Sequence, residues 1–535
     1  MVEIAMAEAE ISQGEVGDQR FEEKVMRALH TLLKAGYQIE PEALNLLRTF
    51  KLLDPEQLAK DIIEKSPAAG PLSFVTKNLV EAAINNLLHA TSPLAEKAPH
   101  EDAKPVVADV GKGVYRPYAC EVESRIEVLK DPTKEISPRG DLESFLAYFR
   151  DRYQKLRRIM RQRLDAKDAT TLAEALRQQL GSQVKVLGIV SEKAERGLKV
   201  ILKLDDPDAS ATILVKPTKP NLIEKARMIL LDQMICVQGV KGPNDLIVAE
   251  DLLWPDTPNQ RHATATEPVC AVLTSDFHVG SKKFQKALVE RFILWLNGRI
   301  GTRSERELAG NVKYVIIAGD LVDGIGVYPS QETELEITDI YAQYEVASQL
   351  IGRIPEYIEV ILIPGNHDAV RKALPQPMIP DRYAGPVYNA RKIISLGNPA
   401  QVKIHGVNLL IQHGQSLEDL LAALPNVSHE NPTRALIQLL KVRHLAPVYG
   451  GKTPLAPEPK DLMVVEEVPD IYHTGHLHVI SYESYHGTKV LNSGCWQGQT
   501  LYQRKMNITP TYGVIPVVNL KSGAISLIDT ARIST

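Results

Sequence analysis

Four cysteines in 535 residues, Cys120, Cys236, Cys270 and Cys495, stand too far apart for any paired spacing. That scarcity excludes a disulfide framework and a cysteine zinc cage, and it suits a reducing, cytoplasmic compartment. An excess of either charge is also lacking. The formal net charge is −4, so any polyanion must be met by a local patch rather than by the whole surface. No apolar stretch reaches the ~18 residues that span a bilayer, so no membrane association is expected. The opening MVEIAMAEAEISQGE has neither the basic start nor the apolar core of a secretory signal. What is present is ample core material, 44% apolar residues, in a length that suits about three or four domains.

Residues 1–90 are expected to form a small all-α domain. Phe21, Val25, Leu29, Leu32 and Leu33 recur at helical spacing, and Leu44, Leu46, Leu47 and Phe50 follow. Asp54-Pro55-Glu56 then supplies a cap and a first-turn proline. Residues 91–118 carry four prolines and little periodicity, which predicts a flexible linker. Residues 119–180 predict a helical connector whose 141–164 stretch bears Arg152, Lys155, Arg157, Arg158, Arg161 and Arg163. A solvated face is the plainer account of that run, and contact with a phosphate backbone the functional one.

Over 181–265 the period changes. QVKVLGIVSEKAERGLKVILKLDD predicts two strands joined at Arg196-Gly197, ATILV a third, NLIEKARMILLD a helix, and MICVQGV and DLIVAEDL two more strands. Three strands, a helix and two strands is the order of an OB barrel. Aromatic platforms are not evident in it, since Trp254 lies past the last strand. Stacking usually supplies affinity for single strands, so a scaffold role is expected. Over 266–535, strands such as CAVLTS, VKYVIIAG and YIEVILIPG alternate with helices and then give way to hairpins. That is the pattern of an α/β domain with buried strands.

Five short segments follow apolar runs in this last region: SDFH (Asp276, His278), AGDLVDG (Asp320, Asp323), PGNHD (Asn366, His367, Asp368), IQHG (His413) and TGHLH (His476, His478). Loops at strand ends are where α/β sheets place ligand sites. Carboxylate, imidazole and amide without thiol suit Mn, Fe, Zn or Mg. Each piece alone has a bland account: Asp-Gly makes turns, a lone histidine is usually structural, and HLH fits two faces of a strand. All five in this order do not.

The order resembles the calcineurin-like metallophosphoesterase superfamily, with its D-x-H, G-D-x-x-D, G-N-H-D/E, H and G-H-x-H motifs, over roughly residues 270–500. The resemblance implies a two-sheet α/β sandwich flanked by helices, and two divalent metal ions, Mn before Mg, Fe or Zn. Carried over residue by residue, it implies Asp276, His278 and His478 on one metal, Asn366, His413 and His476 on the other, and Asp320 bridging both. His367 would stand by the scissile phosphate to protonate the leaving oxygen or stabilise charge, and Asp323 would hydrogen-bond and orient it. Two such metals about 3.5–4 Å apart clamp phosphate oxygens and acidify a water. A neutral amide ligand keeps the site cationic, and a poor alkoxide leaving group requires an acid.

Longer stretches, AGDLVDGIGVYP, GNHDAVRKALPQP and LNSGCWQGQTLYQRKMN, look like the small subunit of archaeal family D DNA polymerases, from about residue 140 on. That likeness implies a 3′→5′ proofreading exonuclease acting on DNA with a single-stranded or mismatched 3′ end. It also implies a large catalytic polymerase subunit as partner. Two alternatives stay open: a stand-alone phosphoesterase or repair nuclease, which leaves the barrel unexplained, and a non-catalytic assembly subunit, which leaves the intact ligand set unexplained.

Overall fold

The computed structural model describes residues 116–137 and 140–534, together with 24–35, 37–40, 43–44, 55–65, 73–75 and 80. The chain divides into two compact units, Met1–Lys112 and Gly113–Thr535. In the first, Pro55–Lys65 is helical, as its start predicts, and Leu58, Ala59 and Ile62 share a core with Ala28 and Leu32. The unit is not all-α, however. Tyr37–Ile39 pairs in parallel with Ser73–Val75, and Tyr37 and Val75 enter the same core. Strands of three residues show too few alternations to register as a period, although their aromatic and β-branched residues favour extended backbone. Phe21, Leu46, Leu47, Phe50, Asp54 and most of the 91–118 stretch lie outside the described residues.

The second unit opens its barrel with Gln183–Arg196, Lys199–Asp205 and Ser210–Val215, and closes it through Leu246–Leu253 and Met234–Lys241 in that spatial order. The helix Pro220–Arg227 links the third strand to the fourth in sequence. Alternate residues point inward, as Val200, Leu202 and Leu204 show, and closure leaves no free edge. Gly197, at φ +60°, turns the first hairpin.

Two six-stranded sheets pack face to face beside it. In one, Ile393–Ser395, Glu359–Ile363, Val312–Ala318 and Cys270–Thr274 run parallel, and Val514–Asn519 with Ile525–Asp529 completes the edge antiparallel. The other runs Ser481–Tyr485, Thr488–Asn492, Ile471–Thr474, Val407–Ile411, Ala400–Ile404, Ile126–Lys130. Leu273, Ile316 and Ile361 meet Val402, Leu409 and Leu491 between the sheets. Val272, Ile317 and Leu362 face the outer helices Lys286–Leu296 and Ile340–Ile351. Helix Thr433–Val442 packs on the second sheet's other face through Leu436, Leu439 and Leu440. Strands covered on both faces read as continuous apolar runs, and all of Val312–Ala318 is buried.

Residues 119–180 are not a separate connector. Ile126–Lys130 is the edge strand of the second sheet, antiparallel to Ala400–Ile404. Helix Leu142–Arg161 sets Leu156 and Met160 in one core with Met234 and Cys236 of the barrel and Val464 of the sandwich. Part of the basic run serves this junction rather than solvent or phosphate. Arg152 is wholly buried and donates to Asp461 (2.7 Å), the Pro447 carbonyl (2.8 Å) and the Tyr148 hydroxyl (3.0 Å). Lys155 donates to the Asp461 carbonyl at 2.9 Å, Arg158 pairs with Glu466, and Arg163 pairs with Asp165. Helical periodicity cannot reveal an acidic partner that lies 309 residues downstream.

Candidate metal centre

The strands of the first sheet end in register: Thr274 lies opposite Ile317, and Ala318 opposite Ile363. The segments that follow therefore emerge together. In the second sheet Ile411 pairs with His473, which brings the His413 loop beside the one carrying His476 and His478. The backbone bends sharply to deliver these groups. Asp276, His278, Asp320, His476 and His478 have φ values of 53°, 52°, 52°, 70° and 60°. Such left-handed backbone costs on the order of 1–3 kcal/mol per residue and clusters at functional sites. Glycine supplies the clearance: a Cβ at Gly365 would strike Asp320 Oδ1, and one at Gly475 would strike Ser275 Oγ and Asp276 Oδ2.

Asp276, His278 and His478 bring donor atoms within 4.8 Å of one another, as do Asp320, His413 and His476, and also His278, Asp320 and His367. Asp276 Oδ1 lies 3.4 Å from His478 Nε2 and 3.8 Å from His278 Nε2, and these two nitrogens are 3.1 Å apart. Asp320 Oδ2 is 3.7 Å from His278 Nε2 and 3.2 Å from His413 Nε2, so one carboxylate reaches both groups. Asn366 Oδ1 is 3.0 Å from His413 Nε2. The fold thus brings together the seven side chains that five separate motifs single out. Asp276 Oδ1 is buried without a hydrogen-bond partner. A buried carboxylate oxygen left unpaired is costly, and imidazole nitrogens converging beside it make a donor set that fits a divalent cation.

Outer partners orient the rings. His413 Nδ1 donates to the Ala318 carbonyl (2.8 Å), which leaves Nε2 free to face the centre. His278 Nδ1 does the same to Asp323 Oδ1 at 2.9 Å, and that carboxylate is itself held by Gln497 and Gln331. This corrects the expectation that the Asp323 side chain orients His367. His367 Nδ1 instead donates to the Asp323 main-chain carbonyl (2.7 Å), and Asp323 Oδ1 is 4.0 Å away. The loop turns its peptide toward one histidine and its side chain toward another. His367 also donates its main-chain N–H to Asp320 Oδ1 at 2.8 Å.

Charges in the centre sustain one another. Burial pushes the Asp320 carboxyl up, but His413, His367 and His278 outweigh it and hold it well below the usual carboxylate range. Asp276 is likewise depressed, with His478 and His278 overcoming burial. Burial lowers His278 and His413, yet the carboxylates prevail, putting His278 well above its ordinary value and His413 at about 9. His476 is held at about 4 by burial and the neighbouring His413. His367 is lowered, chiefly by burial.

Asp368 is a brace rather than a ligand. It accepts from the Gly365 N–H (2.9 Å) and the Tyr344 hydroxyl (3.2 Å), and burial with the nearby charge of Asp320 pushes it up to about 7. Sequence reasoning missed a second brace. Gln376 and Asn398 exchange main-chain hydrogen bonds of 2.8 and 2.9 Å. Asn398 Oδ1 also accepts the His413 N–H at 3.1 Å. The ALPQP tail therefore ties the GNHD loop to the His413 segment, and a Gln ahead of a proline is its only trace in the sequence. Gln503, 2.9 Å from His478 Nδ1, was also missed. The centre opens into a cleft of about 590 Å³ that Tyr328, Glu418 and Tyr502 also line.

Comparison with known proteins bears on this arrangement. Residues 271–480 match the family of B subunits of DNA polymerases alpha and epsilon. The chain is 38% identical over 493 residues to the DNA polymerase II small subunit of Archaeoglobus fulgidus, covering 91% of this chain and 94% of that one. It is 39% identical over 396 residues to that of Methanothermobacter thermautotrophicus, covering 74% and 81%. To that of Pyrococcus horikoshii it is 38% identical over 394 residues, covering 73% of this chain, and it spans only 63% of the relative's length. Among the described residues no helix is long and apolar enough to cross a membrane. With relatives matched across most of both chains, this chain belongs to the family of archaeal DNA polymerase II small subunits, the family D group its longer motifs resemble.

Proposed function

We propose that this subunit is a calcineurin-like, two-metal phosphodiesterase that removes nucleotides 3′→5′ from single-stranded or mismatched DNA ends, proofreading for a large catalytic polymerase subunit. The observation that carries the reading is Asp320, one carboxylate within reach of both histidine groups. Asp276, His278 and His478 would hold one divalent ion, and Asn366, His413 and His476 the other, with Asp320 serving both. Mn is the first candidate, before Mg, Fe or Zn. Bound there, the ions supply Lewis-acid polarisation of the phosphate and a nucleophile at neutral pH.

The chain's own groups do the rest. Asn366 ligates without adding negative charge, which keeps the site attractive to a phosphodiester. His367 lines the cleft, and its Nδ1 is committed to the Asp323 carbonyl. In the imidazolium form its Nε2 proton is therefore the one delivered to the departing 3′ oxygen, and the carbonyl stabilises the neutral tautomer that remains. The closed barrel, with its OB-like strand order, acts as a scaffold: it shares a core with helix Leu142–Arg161 and the sandwich. A purely structural subunit would have no use for five strained ligand positions. The test is digestion of an end-labelled mismatched primer with Mn²⁺. Stepwise shortening from the 3′ end, abolished by chelator and by Asp320→Ala, is expected. Absence of any metal-dependent cleavage would leave the assembly role as the better reading.

A further inference from the structure

A second groove, of about 630 Å³, shares Val327, Asn366 and His367 with the catalytic cleft. We propose that it is the track for single-stranded DNA upstream of the scissile phosphate, the strand that remains after cleavage. The proposal rests on the exonuclease reading and adds to it a direction and a set of binding residues.

The direction follows from the reaction. Hydroxide adds to phosphorus, the P–O3′ bond breaks, and a proton goes to the 3′ oxygen. The products are a nucleoside 5′-monophosphate and a strand ending in a 3′-hydroxyl. The leaving oxygen thus belongs to the strand that stays. The residue that protonates it must stand where that strand enters, and His367 forms part of the wall of both cavities. The terminal nucleotide then occupies the cleft with Tyr328 and Tyr502, and the strand continues along the second groove.

The chemistry of the two walls supports this division. The cleft is lined by Glu334 and Glu418 besides Asp320 and Asp323. In the second groove the acid is Asp368, which is buried and occupied by Gly365 and Tyr344. Its basic residues are Arg371, Lys372 and Arg382. Arg371 is taken up by the Pro375 carbonyl and Glu458, whereas Lys372 and Arg382 are exposed. Lys372 Nζ donates to the Val327 carbonyl at 3.1 Å, which places an ammonium at the seam between the cavities. The Arg382 guanidinium lies 4.7 Å over the Tyr383 ring, and Tyr383 stacks on Tyr341 with centroids 5.5 Å apart and planes at 29°. Cations for phosphates beside an aromatic pair, with an arginine adding a cation–π face, are recurring elements of a single-strand site.

The test uses the full chain and a short fluorescent single-stranded oligonucleotide, first in chelator so that nothing is cut. Lys372→Ala with Arg382→Ala should weaken binding at least about tenfold. It should also reduce the slope of log affinity against log salt by about 1.4, roughly 0.7 for each phosphate no longer neutralised. Tyr383→Leu should weaken binding about fivefold or more without changing the slope. No binding by the unaltered chain, or the same affinity and slope in both variants, overturns the proposal. With Mn²⁺, the double variant should lower the ratio of kcat/KM for the oligonucleotide to that for bis-nitrophenyl phosphate, a diester too small to reach the groove. Equal losses on both substrates would mean that the metal centre had been disturbed, and would overturn the assignment. If the chain binds through these residues yet cleaves neither substrate, the exonuclease reading fails and the groove stands.

Discussion

Two clusters of charge are buried in the same unit, and they are built on opposite terms. Where helix Leu142–Arg161 meets the sandwich, Asp461 accepts from Arg152 (2.7 Å), His444 Nε2 (2.8 Å) and the Met463 N–H (2.8 Å). Arg152 places two further donors on Pro447 and Tyr148. That cluster closes on itself. At the candidate metal centre the carboxylates are as deeply buried, but ring nitrogens face one another and Asp276 Oδ1 completes no hydrogen bond. Burial and perturbed ionisation therefore do not distinguish a joint from a site. Satisfaction does: a closed cluster holds elements together, and an open one is completed by a ligand.

The sharpest way to break this contrast is Asp320→Ala. Nuclease activity should fall to background and bound metal should be lost, checked together by end-labelled digestion and metal analysis. Full activity with both ions retained would remove Asp320 from the bridging position. His367→Ala should keep the metals and lose about 10²–10⁴-fold in turnover. Partial recovery is expected on a nitrophenyl ester, whose leaving group needs no proton, and an equal loss on both substrates would mean that His367 acts on phosphate charge instead.

The closed cluster should answer differently. Arg152→Ala strands Asp461 and should cost about 3–5 kcal/mol, read by denaturant unfolding. Its response to Mn²⁺ should match that of the unaltered protein, about 2.7 kcal/mol of added stability at a hundredfold excess over Kd. Asp320→Ala should show no such response. A metal response lost in Arg152→Ala would show that the two clusters are coupled.

Acid should probe the joint as well. Burial, reinforced by Arg152, holds His444 down at about 4 against an ordinary 6.5. The unfolded chain therefore takes up a proton that the folded one refuses between those values. The stability from a neutral His444 is complete above 6.5 and is lost as pH falls toward 4, at most about 3 kcal/mol. His444→Gln should flatten that part of the profile in apo protein, and an unchanged slope would assign it to other groups. The smallest effect is expected from deleting residues 1–112. Association with the large subunit should persist, because a nuclease of the kind proposed, receiving a frayed end at a fixed distance, would need a rigid interface on its own unit. Loss of the complex, with the truncated protein folded and nucleolytic, would place the interface on the N-terminal unit.

Whatever depends on local period and spacing is legible along the chain. The alternation of Val200, Leu202 and Leu204 marks a barrel strand, VIIAG and VILIPG mark strands buried on both faces, and the five motifs name the side chains that gather at the centre. Where distant partners meet emerges only once the chain has folded. Folding pairs Tyr37–Ile39 with Ser73–Val75, makes Ile126–Lys130 an edge strand and turns Arg152 inward to Asp461. It also gives the Asp323 carboxylate to His278 and the Asp323 carbonyl to His367. The physical reason is the same in each case. A period reports which face of an element is buried, whereas a hydrogen-bond partner on another segment, tens or hundreds of residues away, leaves no trace in the spacing of its own segment.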